Sequence, residues 1–411
     1  MDVNQALDLL AGLSPARFMR QYWQKKPLLV RQAIPGFQPL LSRADLFRLA
    51  GQEHVESRLI ARQAQGWRMK QGPFARRNLP PLSRDAWTLL VQGVDLHDAR
   101  AYALLQKFRF VPDARLDDLM ISFATPGGGV GPHFDSYDVF LLQASGRRRW
   151  KIGRQKDLTL QQGVPLKILQ NFEPDEEFVL EAGDMLYLPP CYAHDGIAEA
   201  AEAAEGGDGE AADCMTYSIG FRAPGQRELA AELPHRLAEF SEDEPEPSSG
   251  EGRRRASPSP KIYRDPRQAA TAAPAALPEG LARFAGQAVL EALKDPLALA
   301  CALGEYMTEP KPSVWFDAPL QDWVPDAVKS GKASIYLDAR SRMMYDSDHV
   351  FINGESYRAK GTDAALMRRL ADQRGLSASE LRRASTPALA LLADWHEAGW
   401  LRQELPMGVG T

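Results

Sequence analysis

Between residues 28 and 188 the apolar side chains keep returning in short runs, 28–30, 119–123, 139–142, 150–152 and 185–188, each closed off by glycine, proline or aspartate. Runs this short suit strands better than buried helices, and their punctuation predicts a β-sandwich or barrel. Helices are sparse within the stretch. The spacing of Trp87, Leu90 and Val91 behind Ser83 predicts one over residues 83–91 that covers a sheet. Ahead of the strands, Ser14 and Pro15 mark a helix start, the hydroxyl serving as N-cap and the proline ring presetting φ at the first helical position. Phe18 and Tyr22 then share a face, and Pro27 sets the end near Lys26.

Two stretches interrupt the pattern. Residues 198–213 contain only Ala, Glu, Gly and Asp, which reads as a solvated insertion in a loop or between two strands. Residues 241–260 are rich in Pro, Ser and charge and read as a linker, with Arg253, Arg254 and Arg255 a solvated cluster rather than a binding motif. Leu281, Phe284, Val289, Leu290 and Leu293, then Leu297, Leu299, Leu303 and Tyr306, predict packed helices. The last hundred residues mix both periods. Residues 335–337, 343–345 and 350–352 read as strands with a turn at Asn353-Gly354, and helices carry Leu366, Leu370, Leu376, Leu381, Leu389, Leu392 and Trp395. That order predicts a winged-helix-like module.

Composition limits the function classes. A chain of 411 residues has room for two or three domains, each able to bury a core. The net charge of -5 gives no broad attraction for a polyanion, and from Thr308 onward 13 Lys and Arg meet 14 Asp and Glu, so nucleic-acid binding is not expected. The three cysteines, Cys191, Cys214 and Cys301, are odd in number and lack metal-type spacing, which argues against a disulfide framework or a structural zinc site. With no apolar run of about 18 residues and no leader at the start, a cytoplasmic protein without a membrane span is expected.

The chemistry concentrates in GPHFDSYDVF, residues 131–140. On a strand His133 and Asp135 would project from one face about 6.6 Å apart along the backbone, close enough to converge on one metal ion. His194 supplies a third ligand, set just after an apolar strand and the Pro189-Pro190 stop. Two histidines and one carboxylate leave three coordination positions open on Fe(II), as a non-haem oxygenase requires. The blander alternative has His133 capping a loop, Asp135 at the surface and His194 hydrogen-bonded in the core. In ASGRRRWKIG, if Trp150 and Ile152 face the interior then Arg148 does too, with Arg147, Arg149 and Lys151 outward. An inward guanidinium needs an anion: a dicarboxylate co-substrate such as 2-oxoglutarate, or an internal salt bridge. Asp118, Met120 and Ser122 alternate onto one face of DDLMISF, an acidic pocket wall if that face is inward, and Ser218 is a candidate for the same pocket. The glycine-rich residues 125–133 lack the Gly-Lys-Ser/Thr ending of a phosphate loop and read as a flexible lip before His133.

The segments YWQKKPLLVRQ, ESRLIARQ, GWRMKQGPF, DDLMISFATPGGGVGPHFDSYDVFLLQASGRRRWKIG, GDMLYLPP and MTYSIGFRAPGQREL, spread over residues 18–230, resemble the bacterial ribosomal oxygenases of the JmjC, cupin-like 2-oxoglutarate oxygenase group. The resemblance implies a double-stranded β-helix core of the jelly-roll kind, a helical dimerisation region and a C-terminal winged-helix domain. Together with the linker it divides the chain into residues 1–224, 225–307 and 308–411, the second including 241–260. It implies Fe(II) on His133, Asp135 and His194, 2-oxoglutarate on Arg148 and Ser122, and a target pocket of Asp118, Met120, Tyr137 and Ser218 with Asp118 pairing to a guanidinium. The implied activity is hydroxylation at Cβ of an arginyl residue in large-subunit ribosomal protein sixteen, by a homodimer. Two alternatives stand beside it: the same chemistry on a histidyl or lysyl residue of another protein, and a non-catalytic cupin-like binding module. The family usually carries glycine where this chain has Cys191.

Overall fold

The computed structural model describes residues 2–64, 66–200, 213–242, 277, 279–358 and 360–404, and it divides into two compact units. The first is Met1–Ala223 with Pro312–Trp315, and the second is Pro224–Lys311 with Phe316–Thr411. In chain order the first unit runs α1 (Pro15–Gln21), β1 (Leu28–Val30), α2 (Arg43–Leu49), β2 (Ser57–Gln63), β3 (Gly66–Gln71), β4 (Trp87–Val91) and α3 (Ala99–Gln106). It continues with β5 (Leu116–Ala124), β6 (Val139–Ser145), β7 (Arg148–Gly153), β8 (Glu176–Leu180), β9 (Met185–Leu188), β10 (Ala193–Ala198) and β11 (Cys214–Phe221). Eight of these strands form one sheet in the order β1-β9-β6-β11-β5-β4-β2-β3, and β10-β7-β8 form a second. Every pairing within the two sheets is antiparallel. The expected β core is therefore present as two antiparallel sheets.

Alternation along the strands sorts the side chains into two cores. Leu119, Ile121 and Phe123 of β5, Tyr217 and Ile219 of β11, and Phe140 and Leu142 of β6 pack on Phe18, Phe47 and Phe108 from the helical segments. The opposite face of the large sheet sends Val139, Leu141, Leu186 and Leu188 against Trp150, Ile152 and Leu180 of the small one. Each such burial contributes about 1.5–3 kcal/mol relative to exposure. The site lies on this second, inter-sheet face.

Three local expectations change. The helix expected over residues 83–91 is the strand β4, paired with β2 and β5, and all five of its residues are buried. Apolar side chains fall on both faces of this strand, so the helical spacing within it was accidental, and the one polar residue, Thr88, is satisfied by donating to Gly129 O at 3.3 Å. Helix α1 begins as expected, with Ser14 Oγ accepting from Arg17 N at 3.3 Å, but it ends at Gln21 rather than near Lys26. Gln24, at φ +56°, cannot continue a right-handed helix. In the second unit Leu376 lies in a two-residue strand rather than on a helix.

The second unit holds α4 (Gln226–Glu242), α5 (Glu279–Ala292), α6 (Pro296–Thr308), α7 (Pro325–Lys329), α8 (Gly361–Gln373), α9 (Ala378–Leu381) and α10 (Thr386–Glu397). Its strands are β12 (Ser334–Leu337), β13 (Met343–Tyr345), β14 (His349–Ile352), β15 (Glu355–Arg358), β16 (Gly375–Leu376) and β17 (Leu401–Glu404), in the sheets β16-β12-β17 and β13-β14-β15. Asn353 and Gly354 turn β14 into β15 with φ of 49° and 91°, the left-handed pair that a two-residue hairpin needs. Ile335, Leu370, Leu392 and Trp395 lie at the centre of this core. Among the described residues no helix is long and apolar enough to cross a membrane. The linker at 241–260 lies outside the described residues from 243 onward, as do residues 201–212 of the insertion.

One buried carboxylate ties the first unit's N-terminal segment to its sheet. Asp138 is fully buried and accepts from Tyr187 Oη at 2.6 Å, Gln24 Nε2 at 3.0 Å and Arg115 Nη2 at 3.2 Å. Asp138→Ala strands those donors, so we expect a loss of about 2–4 kcal/mol in denaturant unfolding and a smaller one for Asp138→Asn. Equal midpoints for wild type and Asp138→Ala contradict the role of this network.

Candidate active site

His133 and His194 are brought together by backbone. His133 N donates to His194 O at 2.9 Å and His194 N donates to His133 O at 2.8 Å, an isolated antiparallel bridge at the start of β10. The ring centroids lie 4.2 Å apart. Each Nδ1 sits against a carbonyl, Gly131 O at 2.8 Å and Tyr192 O at 2.9 Å. A carbonyl only accepts, so Nδ1 carries the proton and Nε2 keeps its lone pair. Asp135 Oδ2 is 3.7 Å from His194 Nε2, and one ligand atom from each of the three residues lies within 4.8 Å of the others. Burial, then the neighbouring His133, push the His194 pKa down to about 4, so its imidazole is neutral at physiological pH.

The route to this cluster differs from the expected strand alternation. Residues 134–138 are irregular, and Asp135 reaches the histidines because Cys191 N donates to its carbonyl at 2.7 Å. The glycine-rich residues before His133 are pinned rather than a flexible lip: Gly127 N donates to Ala198 O at 2.8 Å and Ala198 N to Gly128 O at 2.9 Å. A Cβ on Gly129 would stand 2.6 Å from Gly196 O, so this close approach of two backbones requires glycine.

Arg148 turns inward on β7, 4% exposed, as the alternation predicts. Its Nε and Nη2 are buried without hydrogen-bond partners, and among the described residues it forms no ion pair. Arg149, one residue on, pairs outward with Glu177 and Glu199. The internal salt bridge that the sequence left open is therefore not formed by Arg148, and a buried cation of this kind is matched by an anionic ligand.

The large sheet supplies the remaining expected residues. Asp118, Ser122 and Ser218 are buried, Met120 is half-buried, and register sets Met120 opposite Ser218 and Ser122 opposite Thr216. Asp118 Oδ2 accepts from Gly93 N at 3.0 Å, so part of its carboxylate steadies a turn. Tyr137 is 40% exposed, yet the protein packed around its hydroxyl, then the carboxylates of Asp135 and Asp118, push its pKa up. Sequence reasoning missed Gln143 and Thr216, both buried, with Thr216 Oγ1 donating to Gln143 Oε1 at 2.8 Å beside Ser122. The signal was a lone amide inside the apolar run VFLLQAS.

Cys191 is exposed and left-handed, at φ +61°. A β-carbon in that region costs about 1–2 kcal/mol, which a glycine avoids in part. Cys191→Gly is expected to raise stability by roughly 0.5–1 kcal/mol in denaturant titrations. A lower midpoint would place some stabilising contact on the thiol.

Residues 103–229 match the JmjC domain family, and residues 291–402 match the ROXA-like winged helix. The chain is 34% identical over 346 residues to the ribosomal protein uL16 3-hydroxylase of Escherichia coli, covering 82% of this chain and 84% of that protein. Among solved structures, Escherichia coli YcfD superposes with a TM-score of 0.77 at 31% identity, covering 94% of this chain and 97% of the other. YcfD in complex with cobalt and 2-oxoglutarate gives a TM-score of 0.75 at 30% identity, over 97% of this chain and 99% of the other.

Proposed function

Because the chain belongs to the JmjC-type ribosomal oxygenases, we propose that it is a cytoplasmic Fe(II)- and 2-oxoglutarate-dependent hydroxylase of ribosomal protein uL16, adding one oxygen at Cβ of an arginyl residue. The observation that carries the reading is Arg148, a buried cation that forms no ion pair among the described residues, in the same unit as a His133, Asp135 and His194 cluster whose imidazole Nε2 atoms are available. These residues fit the group they would hold. Three protein ligands of this kind leave room for a bidentate co-substrate and O2, and the bound iron and 2-oxoglutarate supply the O2-dependent oxidative decarboxylation that drives hydroxylation.

The chain's own part is to bind and orient. His133, Asp135 and His194 hold the metal, with both imidazoles fixed in rotation by the carbonyls of Gly131 and Tyr192. Arg148 and Ser122 hold the distal carboxylate of the co-substrate. Asp118 receives the target guanidinium, whose alkyl stem packs on Met120 and Tyr137 with Ser218 opposite. Position is the source of rate here, since the reacting carbon must sit near the metal while competing groups stay away.

The test is incubation of the Fe(II)-loaded protein with uL16, 2-oxoglutarate and O2, read as one added oxygen by mass spectrometry. His133→Ala should abolish the product, and Arg148→Lys should raise the apparent KM for 2-oxoglutarate while Arg149→Lys does little. Unmodified uL16 with the wild-type protein rejects the reading. For the target pocket, Asp118→Asn should keep metal and co-substrate binding but reduce hydroxylation about a hundredfold or more, by analogy with broken buried pairs. Near-normal turnover, or lost stability alone, would assign Asp118 only to the Gly93 turn.

The same reading divides the chain into a catalytic part over 1–224, a dimerisation part over 225–307 and a winged-helix part over 308–411. Leu281, Val289 and Leu290 on α5, Leu293 just past its end, and Leu297 and Leu303 on α6 are each 37–62% exposed, a surface suited to a second copy. Leu290→Glu should convert a dimer to a monomer in light scattering. An unchanged mass argues against this interface.

A further inference from the structure

One buried group in the first unit that packing does not explain is an indole N–H. Trp150 is two residues beyond Arg148 on β7, turned to the same inter-sheet face and 5% exposed, yet among the described residues its Nε1 has no hydrogen-bond partner. Folded proteins seldom retain a buried donor unpaired, and a phenylalanine would fill an apolar seat without that penalty. The ring's position suggests what the donor serves. Its centroid lies 5.9 Å from the guanidinium carbon of Arg148 and 5.8 Å from the ring centroid of His194. The indole is thus near both Arg148 and the metal ligand His194, the two groups that a bound 2-oxo dicarboxylate would bridge.

The opposite strand is shaped to keep the ring there. Gly196 faces Trp150 in register, and a Cβ at that position would come within 2.6 Å of the six-membered ring. No side chain larger than hydrogen fits while the indole stays where it is. Arg148 adds two further unpartnered nitrogens, Nε and Nη2. A carboxylate offers about four lone-pair sites, so a guanidinium fork leaves capacity for another donor.

We propose that Trp150 is a further binding residue for the co-substrate, its Nε1–H donating to a carboxylate oxygen of the 2-oxo dicarboxylate beside the Arg148 fork. The assignment rests on the oxygenase reading and adds to it a donor that the family resemblance did not include. Gly196 is the positioning residue that seats the indole.

The experiment uses the full chain loaded with Zn(II), which holds the site without turnover, and titrates 2-oxoglutarate by calorimetry. Trp150→Phe should weaken 2-oxoglutarate roughly tenfold, the loss of one hydrogen bond to a charged acceptor, with zinc affinity and melting temperature unchanged. Gly196→Ala, which displaces the ring, should weaken it as well. In parallel, one of the eight indole N–H resonances of the 15N-labelled wild type should move downfield on adding 2-oxoglutarate, and that resonance should be the one missing from Trp150→Phe. If Trp150→Phe fails to fold, the wild-type spectrum alone decides. Unchanged affinity in Trp150→Phe, or eight indole resonances that stay in place, overturns the proposal. A wild-type protein that binds no 2-oxoglutarate overturns the oxygenase reading instead, whereas binding weakened by Arg148→Lys but not by Trp150→Phe rejects the indole alone.

Discussion

Two backbone hydrogen bonds, exchanged between His133 and His194, set the centre of the catalytic unit. They bring the segment after β5 to the first residues of β10, elements that belong to different sheets. With the backbones joined there, both imidazoles turn to the same place and their Nδ1 atoms find carbonyls within two residues of their own positions. The neighbouring glycines follow from the same closeness, since Gly129 lies where its backbone nearly touches Gly196. Cys191, left-handed and donating to Asp135 O, completes the arrangement from the other side. The active-site geometry is thus a consequence of main-chain approach, with the side chains oriented afterwards.

Much of this was legible where chemistry follows a local period. The phase of β7 could be read from Trp150 and Ile152, and it placed Arg148 inward and Arg149 outward without any knowledge of the partner strands. The Asp118, Met120 and Ser122 ladder followed in the same way. What could not be read depended on partners distant in sequence. Whether residues 87–91 are helix or strand is decided by β2 and β5 on either side, because so short a run, apolar at four of its five positions, fits both periods. The Gln143 and Thr216 pair belongs to the same class, joining residues 73 apart in sequence through a register that neither segment contains.

The site residues also differ in how much other work they do. Arg148 makes no ion pair within the described chain, whereas Asp118 already steadies the turn at Gly93. Substituting the first breaks no ion pair within the described residues, whereas substituting the second removes the acceptor that holds the Gly93 turn. Alternation set Arg148 inward but left open whether a ligand or an internal salt bridge met it, and it left Asp118 between a pocket and a turn. The same contrast separates the site from Asp138, a fully buried carboxylate already held by three donors from its own chain.

Among the described residues Arg148 forms no ion pair, and this has a consequence for how ligands enter. A divalent metal and a dicarboxylate bound side by side in a poorly solvated space attract one another directly. Metal and co-substrate are therefore thermodynamically linked, each raising the other's affinity by the same factor, and the site favours being filled by both over holding either alone.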